Sequence, residues 1–544
     1  MNPEDQDGPE VPPQLAGIGR TAAVIAIVAI AARLVGVLRV FAQAGALGAS
    51  PLGDTYLAAN KIPNIVFDVV AGGALSSVVI PVLAGPIARR DTAGTRAIAS
   101  AFMTWTLLLL VPVSLLGVLV SRPLMTALLS GVGNAAVRAD KIDVGSRMLV
   151  VFMPQIALYG VGIALTGVLQ AHRRFLAPAI APLLSSLVVI CAYAAYAAQS
   201  GGDQSLQSLS RAEELTLSLG TTLGVAALTL PLLLPVRALG LRMRPTLRWP
   251  RGVAAQIRRL ALAGAVALGA QQLAAAVVIV LANRVDGALV VYELAWTIFL
   301  VPWAVLAVPI ATSAFPDLTQ TAAAGDQRAF AAGLAAAFRA IVMVMIAAAA
   351  LLIAVARPVA EGLFSVLDPD AGGVGATDLS RALMTFAPGL IGYGVVALLT
   401  RAAYARHEGR AAATAVVVGF AVAVVADVAL AAAVPADWLV AALGAGNTAG
   451  MAVAALLLTR WSRAAVGPAA LPPAGQLAPF ALAGCAAAIA GAFAAQTASR
   501  VGPGGSLLLA VAVVTLVLLG AAGPDNRARL SSLATSLRRG RGRQ

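Results

Sequence analysis

Arg33 and Arg39, in the string RLVGVLR, stand inside the first long apolar segment of the chain, and Asp54, Lys61 and Asn64 follow closely. An arginine at a helix centre costs roughly 2.5–3.5 kcal/mol on insertion scales, so it is rarely kept there without use. On a helix beginning near Thr21, Arg33 lies about 18 Å and Arg39 about 27 Å along the axis, which puts Arg33 near a bilayer midplane. Such a charge should face a water-filled cavity and meet an anion. Guanidinium suits phosphate, because its planar fork makes two parallel charge-assisted bonds. The alternative is buried pairing with backbone carbonyls or with Asp54. Around a straight helix the two arginines are about 120° apart, so reaching one ligand needs a bend, for which Gly36 is placed. Asp54 and Lys61, on one helix face, read equally as part of a binding site or as a structural pair. The chemistry indicated is transport of an anion.

The elements that must position these residues are membrane helices. Of 544 residues 60% are hydrophobic and 11% charged, against about 25% charged in soluble domains. Apolar stretches long enough to span recur fourteen times, from 18–46 to 503–523, without the alternation of a barrel. The fold class expected is an all-α polytopic membrane protein of about fourteen transmembrane helices. The net charge of +14 suggests nucleic acid until its placement is read. With the N-terminus inside, cytoplasmic segments hold 25 of the 38 basic residues, outer segments nine and spans four. This is the positive-inside pattern, and it predicts a multi-pass plasma-membrane protein with both termini cytoplasmic and no nucleic-acid partner. Residues 1–17, acidic and Pro-rich, read as a disordered cytoplasmic tail. Residues 524–544 read as a basic tail set by topology or touching anionic membrane lipid. Cys191 and Cys485 read as buried apolar fillers in separate spans.

The chain repeats itself. Residues 152–171 and 386–405 share eight identities in twenty positions, among them Phe152/Phe386, Pro154/Pro388, Tyr159/Tyr393, Gly160/Gly394 and Thr166/Thr400. An offset one residue longer pairs Pro81 with Pro316 and Asp91 with Asp326. The shift is six helices, so the two units share one membrane orientation, as in transporters whose substrate site lies between lobes. The expected organisation is an N-terminal lobe over 18–237 (helices 1–6), a cytoplasmic linker over 238–254, a C-terminal lobe over 255–460 (helices 7–12) and helices 13 and 14 over 477–523.

No enzyme constellation is present. Neither lysine follows a glycine as a P-loop requires, and His172 and His407, the only histidines, sit at helix ends without metal-ligand spacing. No cofactor or metal is expected beyond a coupling cation or the membrane potential. Pro302, Pro309 and Pro316 predict a bent eighth span. Gln271, Gln272 and Asp427 are the other polar groups expected at membrane depth. Asp427 has no charged neighbour within three turns along its own helix and reads as a structural hydrogen bond or as a coupling-cation ligand.

RLVGVLR, LGASPLGDTYLAANKIPN (47–64) and GGALSSVVIPVLA (72–84) resemble the start of the MurJ/MviN family of lipid II flippases, within a superfamily that also holds drug and oligosaccharide-lipid exporters. LQAHRRFLAPAIAPLLSSL (169–187), VPWAVLAVPIATSAFPDL (301–318) and LLTRAAYARHEGR (398–410) extend the resemblance over the whole chain. It implies fourteen helices in two lobes and lipid II, an undecaprenyl-pyrophosphate-linked disaccharide peptide, as cargo. Cell-wall synthesis or division proteins are compatible partners. It also implies that Arg33 and Arg39 bind the pyrophosphate, with Asp54, Lys61 and Asn64 completing the substrate site. The chain departs from the pattern at Val40, Phe67, Asp68 and Gly72, and around Trp296 and Thr297, which makes the expected cavity less cationic. The competing readings are export of another lipid-linked glycan or a drug, and a non-transporting scaffold for cell-wall enzymes.

Overall fold

The computed structural model describes residues 13–69, 76–241, 243–248, 253–367, 374–498 and 502–521, and their regular elements are all helical. The first half holds α1 (Pro13–Leu47), α2 (Pro51–Phe67), α3 (Ser76–Ala88), α4 (Thr92–Leu119), α5 (Ser121–Leu128), α6 (Ala135–Phe152), α7 (Gln155–Ala171), α8 (Leu176–Ser200), α9 (Arg211–Thr229) and α10 (Leu233–Arg237). The second half holds α11 (Val253–Ala282), α12 (Ala288–Pro302), α13 (Val308–Ala323), α14 (Gln327–Leu367), α15 (Val374–Phe386), α16 (Gly389–Ala405), α17 (Gly409–Ala433) and α18 (Leu439–Ala465), followed by α19 (Ala474–Thr497) and α20 (Pro503–Ala521).

Among the described residues eleven helices are long and apolar enough to cross a membrane, or twelve if α15 and α16, bent by 44° at their junction, form one span. This is a multi-pass membrane protein. The two further segments of the expected fourteen fall on α2 with α3, divided by residues outside the description, and on α11, whose shorter apolar part is Leu268–Ala282. Fourteen is therefore the sequence count, and eleven to twelve the count met by the described residues. The expected tail 1–17 is helical from Pro13 onward. Residues 1–12, Gly72 and the basic tail 524–544 lie outside the described residues. Cys191 and Cys485 are free and exposed on their helices, so they are surface residues rather than buried fillers.

The internal repeat is written into the backbone. Arg173 and His407, 234 positions apart, both adopt left-handed φ, 58° and 60°, a conformation non-glycine residues rarely take. Each ends a helix with the same pair of bonds, Arg174 N to Leu169 O (2.8 Å) with Arg173 N to Gln170 O (2.9 Å), and Glu408 N to Ala403 O (2.8 Å) with His407 N to Tyr404 O (3.0 Å), the pattern of a Schellman cap. Asp91 and Asp326 do the same work at helix starts, accepting from Gly94 N at 2.7 Å and Ala329 N at 2.9 Å. Pro154 and Pro388 break the fourth and tenth spans. A threonine hydroxyl then takes up a carbonyl beside each break, Thr222 on Val151 O at 2.9 Å and Thr448 on Thr385 O at 2.8 Å. Gly160 and Gly394 complete the pattern by close approach. A Cβ at the first would collide with Leu110, and one at the second would stand 2.7 Å from Met345 Cγ.

The expected linker does not run free. Arg244 N and Thr246 N donate to Ser100 Oγ (3.1 Å) and Thr104 Oγ1 (3.0 Å), and Trp105 Nε1 donates to Leu247 O (3.1 Å). Residues 243–248 are thus fastened along α4.

Candidate functional site

Two constructions join the halves: a seal at the end carrying the α1–α2 turn, and a cavity deeper in. The seal begins with the start of α2. Ser50 Oγ accepts from Gly53 N at 3.1 Å and Pro51 occupies the first turn, a sequence-encoded helix start. It sets Asp54, fully buried, against the N-terminus of α12. That helix has Gly287 (φ 81°) at its N-cap and no capping side chain of its own. Asp54 supplies the cap from the other half, accepting from Gly287 N (2.7 Å), Leu289 N (3.1 Å) and Val290 N (3.3 Å). A carboxylate there meets free N–H groups and the positive end of the helix dipole. Lys141 of α6, also fully buried, bridges Asp54 (3.7 Å) and Asp286 (2.8 Å). A side chain at Gly287 would strike the Ala49 carbonyl, so the two backbones touch.

The cavity has a volume of about 210 Å³. Lys61 of α2 enters it and pairs with Glu293 of α12 at 3.4 Å. Asp68 lies on the same wall and accepts from Gln272 Nε2 at 3.1 Å. Tyr292 and Trp296 stack at 6.3 Å, with their ring planes 8° apart, on the α12 side. Asp427 and Asn447 line the cavity from α17 and α18, each more than nine-tenths buried. Asp427 Oδ1 and Asn447 Nδ2 have no hydrogen-bond partner among the described residues, while Asn447 Oδ1 accepts from Tyr393 at 3.1 Å.

The residues expected from the sequence therefore separate. Arg33 and Arg39 lie on an unbroken α1, which runs through Gly36 without a break, and their surroundings differ. Arg33 Nη1 donates across the halves to Ala304 O at 3.2 Å, within the π-helical turn Trp303–Ala307 of the eighth span. Arg39 is half-buried, has no ion-pair or hydrogen-bond partner among the described residues, and lies in electrostatic range of the Tyr56, Tyr159 and Tyr193 hydroxyls. Asn64 stays within its own half, accepting from Tyr159 at 2.9 Å and donating to Asn60 O at 2.8 Å. Asp54 and Lys61 do not pair with each other. Asp54, expected among the substrate ligands, is sealed inside the closure, where its oxygens are occupied. Asp427 Oδ1 has no partner among the described residues, where the sequence allowed a structural hydrogen bond.

Lys141, Asp286 and Glu293 were missed. Glu293 left a readable signal, being an acid inside the expected eighth span. Lys141 is one of only two lysines in the chain. Its role depends on a contact 145 residues away in sequence, which no local pattern contains.

Helices in two repeated halves, a seal across one end and a polar cavity between the halves define the architecture of this multi-pass membrane protein. The sequence profile of the lipid II flippase MurJ family matches residues 43–511, and the chain belongs to that family. It is 28% identical over 168 residues, 30% of this chain and 31% of the relative, to a probable lipid II flippase MurJ of Rhizobium tropici. With the lipid II flippase MurJ of Burkholderia cenocepacia it shares 28% over 160 residues, 29% of this chain and 30% of the relative. Such alignments span about a third of the curated relatives' length. The fold is similar to a solved lipid II flippase MurJ in an inward closed conformation, with a TM-score of 0.72 at 14% identity over 93% of this chain and all of the other. It is also similar to an inward-facing multidrug resistance MATE family transporter, with a TM-score of 0.66 at 15% identity, covering 82% of this chain and 98% of that one.

Proposed function

We propose that this protein flips lipid II, the lipid-linked peptidoglycan precursor, from the cytoplasmic to the outer leaflet of the plasma membrane by alternating access. The end rich in arginine, with both termini, lies in the cytoplasm, and the α1–α2 turn faces outward. The sealed turn end then belongs to the state that receives cargo from inside. Arg33, Arg39, Lys61 and Asn64 form the substrate-binding set, while Asp54 acts in the closure. Asp427 is the group through which a coupling cation or the membrane potential drives the cycle.

The observation that carries this reading is the half-buried Arg39 guanidinium, without a partner among the described residues and six residues from Arg33 on a membrane helix of a MurJ-family chain. Holding an unpaired guanidinium at that depth is costly, and a pyrophosphate supplies the missing acceptors. The test is depletion of the protein in cells. Undecaprenyl-linked peptidoglycan precursor should accumulate on the inner leaflet and return to the outer one when the protein is restored. Undiminished appearance of precursor outside during depletion contradicts the proposal.

A further inference from the structure

We propose that the acidic wall of the inter-lobe cavity binds a primary ammonium group on the cargo, in exchange for the ammonium of Lys61. The inference rests on the reading of the cargo as a lipid-linked pyrophosphate bearing a peptide, and adds a second charge that this cargo must carry.

The charge inventory motivates it. The cavity is lined by one cation, Lys61, and three carboxylates, Asp68, Glu293 and Asp427, and neither Arg33 nor Arg39 is on its wall. The Lys61–Glu293 contact of 3.4 Å is longer than the 2.7–2.9 Å of a tight charge-assisted bond. Among the described residues Asp68 has only the neutral Gln272 amide as a hydrogen-bond donor. A second sign that the cavity lacks a cation is Asp427, 2% exposed on its wall, whose Oδ1 has no partner among the described residues. Such a group demands an explanation in a native structure. The Tyr292 and Trp296 rings beside these acids offer the π faces that attract an ammonium. The cavity has room for an aminoalkyl chain.

The sequence of events follows from charge. An arriving pyrophosphate competes with Glu293 for Lys61, because it carries more charge than one carboxylate. Once Lys61 turns to it, Glu293 and Asp68 face aromatic walls without a cation, an unfavourable state for partly desolvated carboxylates. A cargo with an ammonium at a fixed distance from its pyrophosphate restores the balance, and a cargo without one does not.

The test measures binding to the full-length protein in nanodiscs. The probes are a lipid-linked disaccharide–peptide pyrophosphate with one free lysine side chain, and the same molecule with that lysine acetylated. Acetylation should weaken binding to the wild type about tenfold. Glu293→Gln and Asp68→Asn, both close in shape to the native residues, should each bring the two affinities close together. Equal affinities in the wild type overturn the inference and leave the flippase reading intact. If neither probe outcompetes the same polyprenol without phosphate, the flippase reading falls and the inference with it. Measurements in sodium and in potassium at equal ionic strength separate an inorganic occupant. A preference for the free amine that vanishes when sodium is withdrawn overturns the ammonium assignment, and one that persists supports it.

Discussion

Phe152 packs edge-on to Tyr56 at 5.7 Å in the first half, and Phe386, its repeat mate, packs against Tyr292 at 5.6 Å in the second. The scaffold is thus shared down to ring contacts, yet the halves differ in what surrounds those rings. In the first half Tyr56 belongs to a buried hydroxyl network, bonded to Thr221 Oγ1 at 2.6 Å and to Tyr193 at 2.9 Å. In the second, Tyr292, Trp296, Phe299 and Phe386 form an aromatic cluster. The repeated tyrosines diverge as well. Tyr159 bonds Asn64 on α2, whereas Tyr393 bonds Asn447 on α18. The first half carries the cations Arg33, Arg39 and Lys61 and sends Lys61 and Asp68 to the cavity, whereas the second sends only the acids Glu293 and Asp427 as charged groups. Duplication accounts for the frame, and the chemistry lies where the copies have parted. A lone anion site would need only the first half's charges. The acids opposite them suit a cycle in which cation and anion sites are filled and emptied together.

The largest effect on this comparison is expected where the two halves lock. Lys141 is buried between Asp54 and Asp286, and removing one partner of a buried ion group costs about 3–5 kcal/mol. Lys141→Ala should therefore open the turn end. A cysteine placed at Ala49 should be labelled from outside much faster in that background, with Lys141→Arg intermediate. Unchanged labelling would mean that the backbone contact at Gly287 holds the seal without the charges.

The smallest effect on folding is expected at Asp427. Its Oδ1 has no partner to lose, so Asp427→Asn should change stability by less than about 1 kcal/mol and leave membrane abundance unaltered. Flipping should nevertheless lose much of its dependence on sodium, pH or membrane potential. Full dependence on all three in the variant would show that Asp427 is structural and that coupling resides elsewhere.

The sequence displayed more of the frame than of the site. Helix caps and breaks are local, so the pairs Pro154/Pro388 and Asp91/Asp326 could be matched by offset alone, and the structure gives each pair equivalent bonds. The prolines of the eighth span predict a bend there, and the structure puts a π-helical turn, Trp303–Ala307, directly after Pro302. Side-chain partners across the halves were not legible, because they depend on how two units dock. The family resemblance puts Asp54 among the ligands, and the helix face it shares with Lys61 allows a structural pair instead. Its true neighbours are three N–H groups more than two hundred residues away. Gly36 could permit a bend, but nothing in the structure draws the two arginines to a common point, and α1 is unbroken.

The central claim is that the first half holds the pyrophosphate through Arg33 and Arg39. It is tested most directly by comparing binding of a polyprenyl pyrophosphate with that of the same polyprenol lacking phosphate, in wild type and in Arg33→Ala/Arg39→Ala. A charge-assisted bond is worth about 1.5–3 kcal/mol, so each single substitution should weaken pyrophosphate binding about ten- to a hundredfold. Lysine should restore only part of it, because a point ammonium lacks the fork. The double variant, at normal abundance in the membrane, should bind the two lipids equally and flip no precursor. A double variant that still prefers the pyrophosphate as strongly as the wild type does would contradict the account.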